Sequence, residues 1–253
     1  MAFIGHNRPS GPSISCVQCP LRLRPALREF SDDELDYVRH LKTDELHVDP
    51  GISFLREGTR SDCLYTLLSG WAFRYKMLED GRRQILNYAL PGDLIGLQGA
   101  LMKEMEHSVE ALTPLKLCMF PRNKMWDLYS KLPSLAFDIT WLAAREEQLI
   151  DENLVSIGRR TALERTAYLL LHLFVRAEDA ALTAGDTIQF PFTQQHVADT
   201  LGMSLVHTNK TLKRLMATGA VRWKDRRFTL LDRPALEEIA GDDGRQQRPR
   251  PFI

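Results

Sequence analysis

Between residues 44 and about 122 the chain alternates short apolar runs with turn residues. LHV, ISFL, CLYTLL, WAFRYKML, QILNYAL, LIGL and KLCMF are separated by DPG, EGTRSD, SG, EDGRR and PGD. Gly51, Gly58, Gly70, Gly81 and Gly92 recur at intervals of 7 to 12 residues. Runs of this length, with glycine where tight turns need a positive φ, predict an all-β roll, barrel or sandwich. From Pro133 to about Ile157 the apolar period changes to three and four. Leu135, Ile139, Leu142, Leu149 and Ile150 form one stripe, with Arg145, Glu146, Glu147, Asp151 and Glu152 interleaved. This predicts an amphipathic helix of roughly 25 residues, nearly 40 Å at about 1.5 Å per residue. Such a length exceeds what a small domain's own core requires. It fits the seam of a coiled-coil dimer, with packing inside one chain as the alternative.

A second helix is predicted over about Ala162 to Glu178, burying Leu163, Ala167, Leu170, Leu171 and Phe174. A short strand, Ile188 to Phe192, leads to Thr193, placed to cap a helix. Gly202 suits a left-handed reversal, and Ser204 caps the helix after it. Thr208, Leu212 and Leu215 would bury one side of that helix, leaving Leu205, Val206, Asn209, Lys210 and Lys213 outward. Val221 to Leu231 reads as two short strands around Lys224-Asp225-Arg226-Arg227. The pattern is a winged helix-turn-helix.

Composition sharpens this picture through charge. The 253 residues hold 33 Lys+Arg and 33 Asp+Glu, a net of zero. That excludes a uniformly basic nucleic-acid coat. The charge is nevertheless uneven: Glu29 to Asp62 has ten acidic against four basic residues, a local −6, whereas Ser204 to Arg227 has seven basic against one acidic, a local +6. A basic module on a neutral protein points to a polyanion. A helix of this width fits the major groove. There Asn209 pairs with adenine, Lys210 reaches guanine acceptors and Val206 packs on a thymine methyl. Thr193, Ser204, His207, Lys213, Arg214, Arg222, Lys224, Arg226 and Arg227 complete the candidate DNA-binding set, the cations suiting phosphates. His196 reads as a polar surface residue. No Ser/His/Asp, phosphate-loop or paired-carboxylate constellation has convincing spacing, so an enzyme is not expected. The first fifteen residues do not read as a signal peptide, and no window approaches about eighteen uninterrupted apolar residues, so a cytoplasmic protein without a membrane partner is expected.

Three further stretches carry a resemblance. Leu64-Tyr65-Thr66-Leu67-Leu68-Ser69-Gly70, Asp80-Gly81-Arg82-Arg83-Gln84-Ile85 and Pro91-Gly92-Asp93-Leu94-Ile95-Gly96, followed by the helix-turn-helix from Thr193 to Leu215, resemble the Crp/Fnr family of bacterial transcription regulators. The resemblance runs from about Cys16 to Ala240. It implies an α+β chain: an N-terminal extension (1–22), a cyclic-nucleotide-binding-like β-roll (23–132), a dimerisation helix (133–158) and a winged helix-turn-helix domain (159–253). It also implies a homodimer on a palindromic operator, contacting RNA polymerase, with half-sites about one helical turn apart.

The chain departs from the family pattern in three places. Where cAMP-binding members carry a ribose-binding glutamate and an Arg-Ser pair, this chain has Leu97 and His107-Ser108. Losing the phosphate-binding arginine removes a contact worth roughly 1.5–3 kcal/mol, so cAMP is not the expected ligand. Leu97, His107 and Ser108 remain effector-pocket candidates, with His107 otherwise a polar loop residue or a haem ligand. Val206 and Lys210 replace the family's usual recognition-helix glutamate and arginine. Finally, Cys16, Cys19 and Cys118 resemble ligands of an oxygen-sensing iron–sulfur cluster, with Pro25 at the place of a further cysteine. A cluster with a non-cysteine fourth ligand, thiol redox sensing and no cofactor all remain open. Cys63 reads as core.

Overall fold

The computed structural model describes residues 13–242 and 250–253. The described residues divide into two compact units: 13–76, 88–147 and 250–253 in the first, 77–87 and 148–242 in the second. Among the described residues no helix is long and apolar enough to cross a membrane.

The first unit is a β-roll. Strands β1 (Asp44–Val48), β3 (Cys63–Ser69), β6 (Leu94–Ile95) and β8 (Leu115–Pro121) form one sheet in the order β1-β8-β3-β6. Strands β2 (Ser53–Leu55), β4 (Ala72–Met77), β5 (Arg83–Ala89) and β7 (Ser108–Ala111) form another in the order β2-β7-β4-β5. The two-residue period decides what each face does. Tyr65, Leu67, Leu115 and Leu117 point into a cluster shared with Leu55, Ala72, Val109 and Ala111 of the other sheet. Leu64, Leu68, Cys118 and Phe120 point to the opposite face, into a cluster with helical residues. Gly70 turns β3 into β4 at φ +95°; a Cβ there would lie 2.4 Å from the Pro114 carbonyl, so only glycine fits.

That second cluster is covered by helices α1 (Asp32–Leu41), α2 (Leu97–Met102), α3 (Met125–Lys131) and the start of α4 (Pro133–Arg159). Ser31 opens α1 with a capping box closed by Glu34. Burial raises the Glu34 pKa, but hydrogen bonds from Arg28, Ser134 and the Ser31 amide outweigh it and hold the carboxyl at about 2. Arg28 also pairs with Asp138 on α4, so one guanidinium ties the entry of α1 to the long helix. Neither α1 nor α2 nor β7 follows from the apolar pattern.

The second unit is a winged helix. Helix α5 (Ala162–Asp179), capped by Thr161 and Glu164, packs with α6 (Gln194–Leu201), α7 (Leu205–Ala217) and α8 (Arg233–Ala240). Strands β9 (Thr183–Ala184), β10 (Thr187–Gln189), β11 (Val221–Lys224) and β12 (Arg227–Leu230) form a sheet in the order β11-β12-β10-β9. Its core is aromatic: Phe190 lies 4.4 Å from Phe192 and 4.8 Å from Phe228, ring centre to ring centre. Residues 77–87, the end of the β4–β5 hairpin, belong to this unit. There Arg83 pairs with Asp199 of α6 at 2.9 Å, and the Gln84 amide donates to the Thr200 carbonyl.

Candidate nucleic-acid interface

Each local signal in the helix-turn-helix has its expected geometry. The Thr193 hydroxyl accepts from the His196 amide, and the Thr193 amide donates to His196 Nδ1 at 3.0 Å, closing a capping box. His196 is therefore a half-buried capping residue, which corrects its reading as a surface polar residue. Burial, then the Arg83 charge, lowers its pKa to about 4, which keeps Nδ1 free to accept. Gly202 sits at φ +62° and ψ +37°, reversing the chain. The Ser204 hydroxyl accepts from the His207 amide at 3.2 Å, starting α7.

Helix α7 then sorts its residues into three stripes. Thr208, Leu212 and Leu215 are buried against the core. His207, Thr211 and Arg214 line a cleft of about 710 Å³ shared with residues of α5 and α8. Leu205, Val206, Lys210 and Lys213 stand exposed, Val206 at 67%. Asn209 is half-buried rather than fully outward, and its Oδ1 is buried without a hydrogen-bond partner among the described residues. A buried acceptor without a partner carries an unmet polar demand, and a side-chain rotation would be needed to turn it toward the exposed face. Sequence periodicity could not separate the cleft-lining stripe from the outward one, because both read as polar.

Beyond α7, β11 and β12 pair in register from Val221–Leu230 to Lys224–Arg227, leaving Asp225 and Arg226 as a two-residue turn. Both have positive φ, +52° and +62°, which defines the type I′ geometry that matches strand twist. The turn carries Lys224, Arg226 and Arg227 exposed at its tip, with Arg222 exposed on β11.

The effector candidates all lie in the first unit. Leu97 opens α2 and is half-buried. Ser108 begins β7, where its hydroxyl accepts from the Glu57 amide at 3.0 Å. His107 lies in the loop just before β7 and is buried there; burial, then Arg74 and Lys76, lower its pKa to about 4. A groove of about 800 Å³ does open on this unit, but Asp62, Cys63, Leu101, Arg122 and Trp126 are among its lining and none of the three candidates is. Cys63 is half-buried: it packs against the apolar cluster between the two sheets and also lines that groove.

Cys16 lies in a 3-10 turn, Cys19 precedes a second one, and Cys118 stands on β8 opposite Glu45 of β1. Burial is the largest cause raising the pKa of each thiol and pushes Cys118 up to about 12; Cys19 adds to the rise at Cys16, and Cys16 and Cys19 add to it at Cys118. A cluster requires thiolates and a fourth donor. Glu45, the adjacent carboxylate, already accepts from the Ile14 amide at 2.7 Å and pairs with Lys42 and Lys116. Among the described residues no three His, Cys, Asp or Glu side chains converge as a metal-binding group. As placed, these described residues do not form an iron–sulfur ligand set.

Comparison with known proteins agrees with this arrangement. Residues 45–131 match the cyclic nucleotide-binding domain family and residues 164–239 the Crp-like helix-turn-helix domain family. The chain is 31% identical to the nitrogen fixation regulation protein FixK of Bradyrhizobium diazoefficiens, over 89% of this chain and 93% of that one. It is 28% identical to the transcriptional activator protein FnrL of Cereibacter sphaeroides, over 90% and 92%. The structure of FixK2 from Bradyrhizobium japonicum has the same fold, with a TM-score of 0.71 at 24% identity, over 80% of this chain and 98% of that one.

Proposed function

The chain belongs to the Crp/Fnr family of DNA-binding transcription regulators, and from that premise we propose that it acts in the cytoplasm as a homodimer on a two-fold-symmetric operator. In this reading residues 1–22 are an extension, 23–132 a sensor roll, 133–158 the dimerisation helix and 159–253 the reader. The observation that carries it is the exposed face of α7 beside the cationic wing. Val206, Asn209 and Lys210 read base edges. Lys213, Arg222, Lys224, Arg226 and Arg227 hold phosphates, with Thr193 and Ser204 presenting helix N-termini to the backbone. His207 and Arg214 flank this surface from the cleft side.

The dimer is supported by α4. Leu135, Ile139, Leu142 and Leu149 are buried within the chain, whereas Ile150, Leu154 and Ile157, spaced four and three apart, are exposed. An apolar stripe left in water at that spacing is a helix seam awaiting a partner helix. Two copies then present two α7 helices to successive major-groove turns, where RNA polymerase meets the bound regulator. The signal reaches the reader by a change of subunit angle along α4. cAMP is not its carrier, since neither Leu97 nor His107 offers what a ribose or a cyclic phosphate needs.

Lys210→Ala tests the assignment. It is expected to lower discrimination between operator and single-base variants by about 1–3 kcal/mol, leaving non-specific affinity nearly unchanged. An equal loss on every sequence would make Lys210 a phosphate contact and move base reading elsewhere.

A further inference from the structure

The segment Arg250–Ile253 returns to the first unit after the whole second unit has been traversed, and it is held there by every class of contact a bound peptide makes. The Arg250 amide donates to the Ala26 carbonyl at 2.9 Å, and the Arg28 amide donates to the Arg250 carbonyl at 2.8 Å. These bonds form a parallel bridge between Leu27 and Arg250. The Arg250 guanidinium pairs with Asp93 at 2.9 Å and donates to the Gly92 and Pro91 carbonyls at 3.2 and 3.1 Å. Gly92 has φ +95°, and a Cβ there would stand 2.9 Å from Arg250 Nη2, so the turn's missing side chain is the space the guanidinium occupies. Phe252 is 3% exposed and its ring centre lies 4.6 Å from that of Phe30; Ile253 is 5% exposed. The Thr66 hydroxyl of β3 donates to the Ile253 carbonyl.

We propose that the β-roll unit carries a peptide-binding groove between residues 26–28, the Pro91–Asp93 turn and Thr66, and that its ligand is a basic–proline–aromatic–aliphatic segment supplied by the chain itself. Strand-like backbone pairing supplies affinity and side-chain pockets supply selectivity, as in other β-augmentation sites. Asp93 selects the cation, the carbonyls of Pro91 and Gly92 fix its plane, and the apolar cluster around Leu27, Leu64 and Phe30 takes Phe252 and Ile253. Proline at 251 needs no amide partner, which suits a position between two pocketed side chains. The occupied groove reaches α4 by short steps. Asp93 adjoins Leu94, whose carbonyl accepts from Arg74, and Arg74 pairs with Glu146 of α4.

Amide hydrogen exchange in the full chain and peptide binding to a chain ending at residue 249 test this. In the full chain the Arg28 amide is expected to exchange at least a hundredfold more slowly than an open amide, and Phe252→Ala to accelerate it at least tenfold. A fluorescent peptide of residues 248–253 is expected to bind the shortened chain saturably and restore protection at Arg28, with the Phe252→Ala peptide binding at least tenfold more weakly. An Arg28 amide that exchanges freely in the full chain overturns the proposal. So does a folded shortened chain that does not bind the peptide. If the shortened chain fails to fold, exchange in the full chain and its Phe252→Ala variant decides alone.

Discussion

The wing turn sets stability against DNA affinity, and Arg226→Gly separates the two. Asp225 and Arg226 both occupy the left-handed region, at φ +52° and +62°. A residue with a Cβ pays about 1–2 kcal/mol there, and two-residue hairpins of this type favour Asp-Gly for that reason. Glycine at 226 removes that strain, but its unfolded chain is freer by about 0.5–1 kcal/mol. The net expectation is a gain of roughly 0.5–1 kcal/mol in the second unit, read as a higher midpoint in urea at unchanged slope. The same change deletes an exposed cation. If Arg226 holds one phosphate, each protomer releases one fewer counterion, and the slope of log K against log[salt] becomes shallower by about 1.8 for a dimer. Arg226→Lys keeps both charge and strain and serves as the control. Fluorescence anisotropy on one duplex across a salt series measures the slope. A variant that loses stability would show that the turn is unstrained, and an unchanged slope would remove the wing tip from the phosphate contacts.

Other consequences follow from buried groups. His107 is held at a pKa of about 4 by burial, with Arg74 and Lys76 facing it. An unfolded imidazole protonates near 6.5 and the folded one only near 4, so the unfolded state gains protons between those values. Stability is therefore unaffected above pH 6.5 and falls by about 1.4 kcal/mol per pH unit toward pH 4, roughly 3 kcal/mol in all. His107→Asn should flatten that decline relative to the parent chain, in which His196 titrates over the same range. Phe190→Ala opens the fully buried aromatic core of the reader and is expected to cost about 3–5 kcal/mol, measured by chemical denaturation. Protein purified without oxygen is expected to be colourless and free of iron and sulfide; stoichiometric iron with visible absorption would restore the cluster reading of Cys16, Cys19 and Cys118.

What was legible in the chain depended on how local its causes are. Thr193, Gly202 and Ser204 act through neighbours three or four residues away, so the helix-turn-helix could be read directly, and β1, β3, β4, β5 and β8 followed from apolar runs bounded by glycine. β7 was missed because Ser-Val-Glu-Ala has too little apolar pattern to stand out, and α1 because its stability lies in a capping box and in Arg28 reaching Asp138 across 110 positions. His107 does lie in a loop, but its burial was not legible because it depends on strands distant in sequence. Ile150 was grouped with the buried stripe of α4, yet it is exposed: a periodic pattern shows which residues share a face, not what covers it. The docking of Arg250–Ile253 left no local trace at all, since four residues carry no period.

Paired reading of DNA is tested most directly by mass and protection on one duplex. Fragments selected from the source genome should be bound by two chains per duplex in sedimentation, with hydroxyl-radical protection in two patches about one helical turn apart. One chain per duplex with a single protected patch would contradict the account.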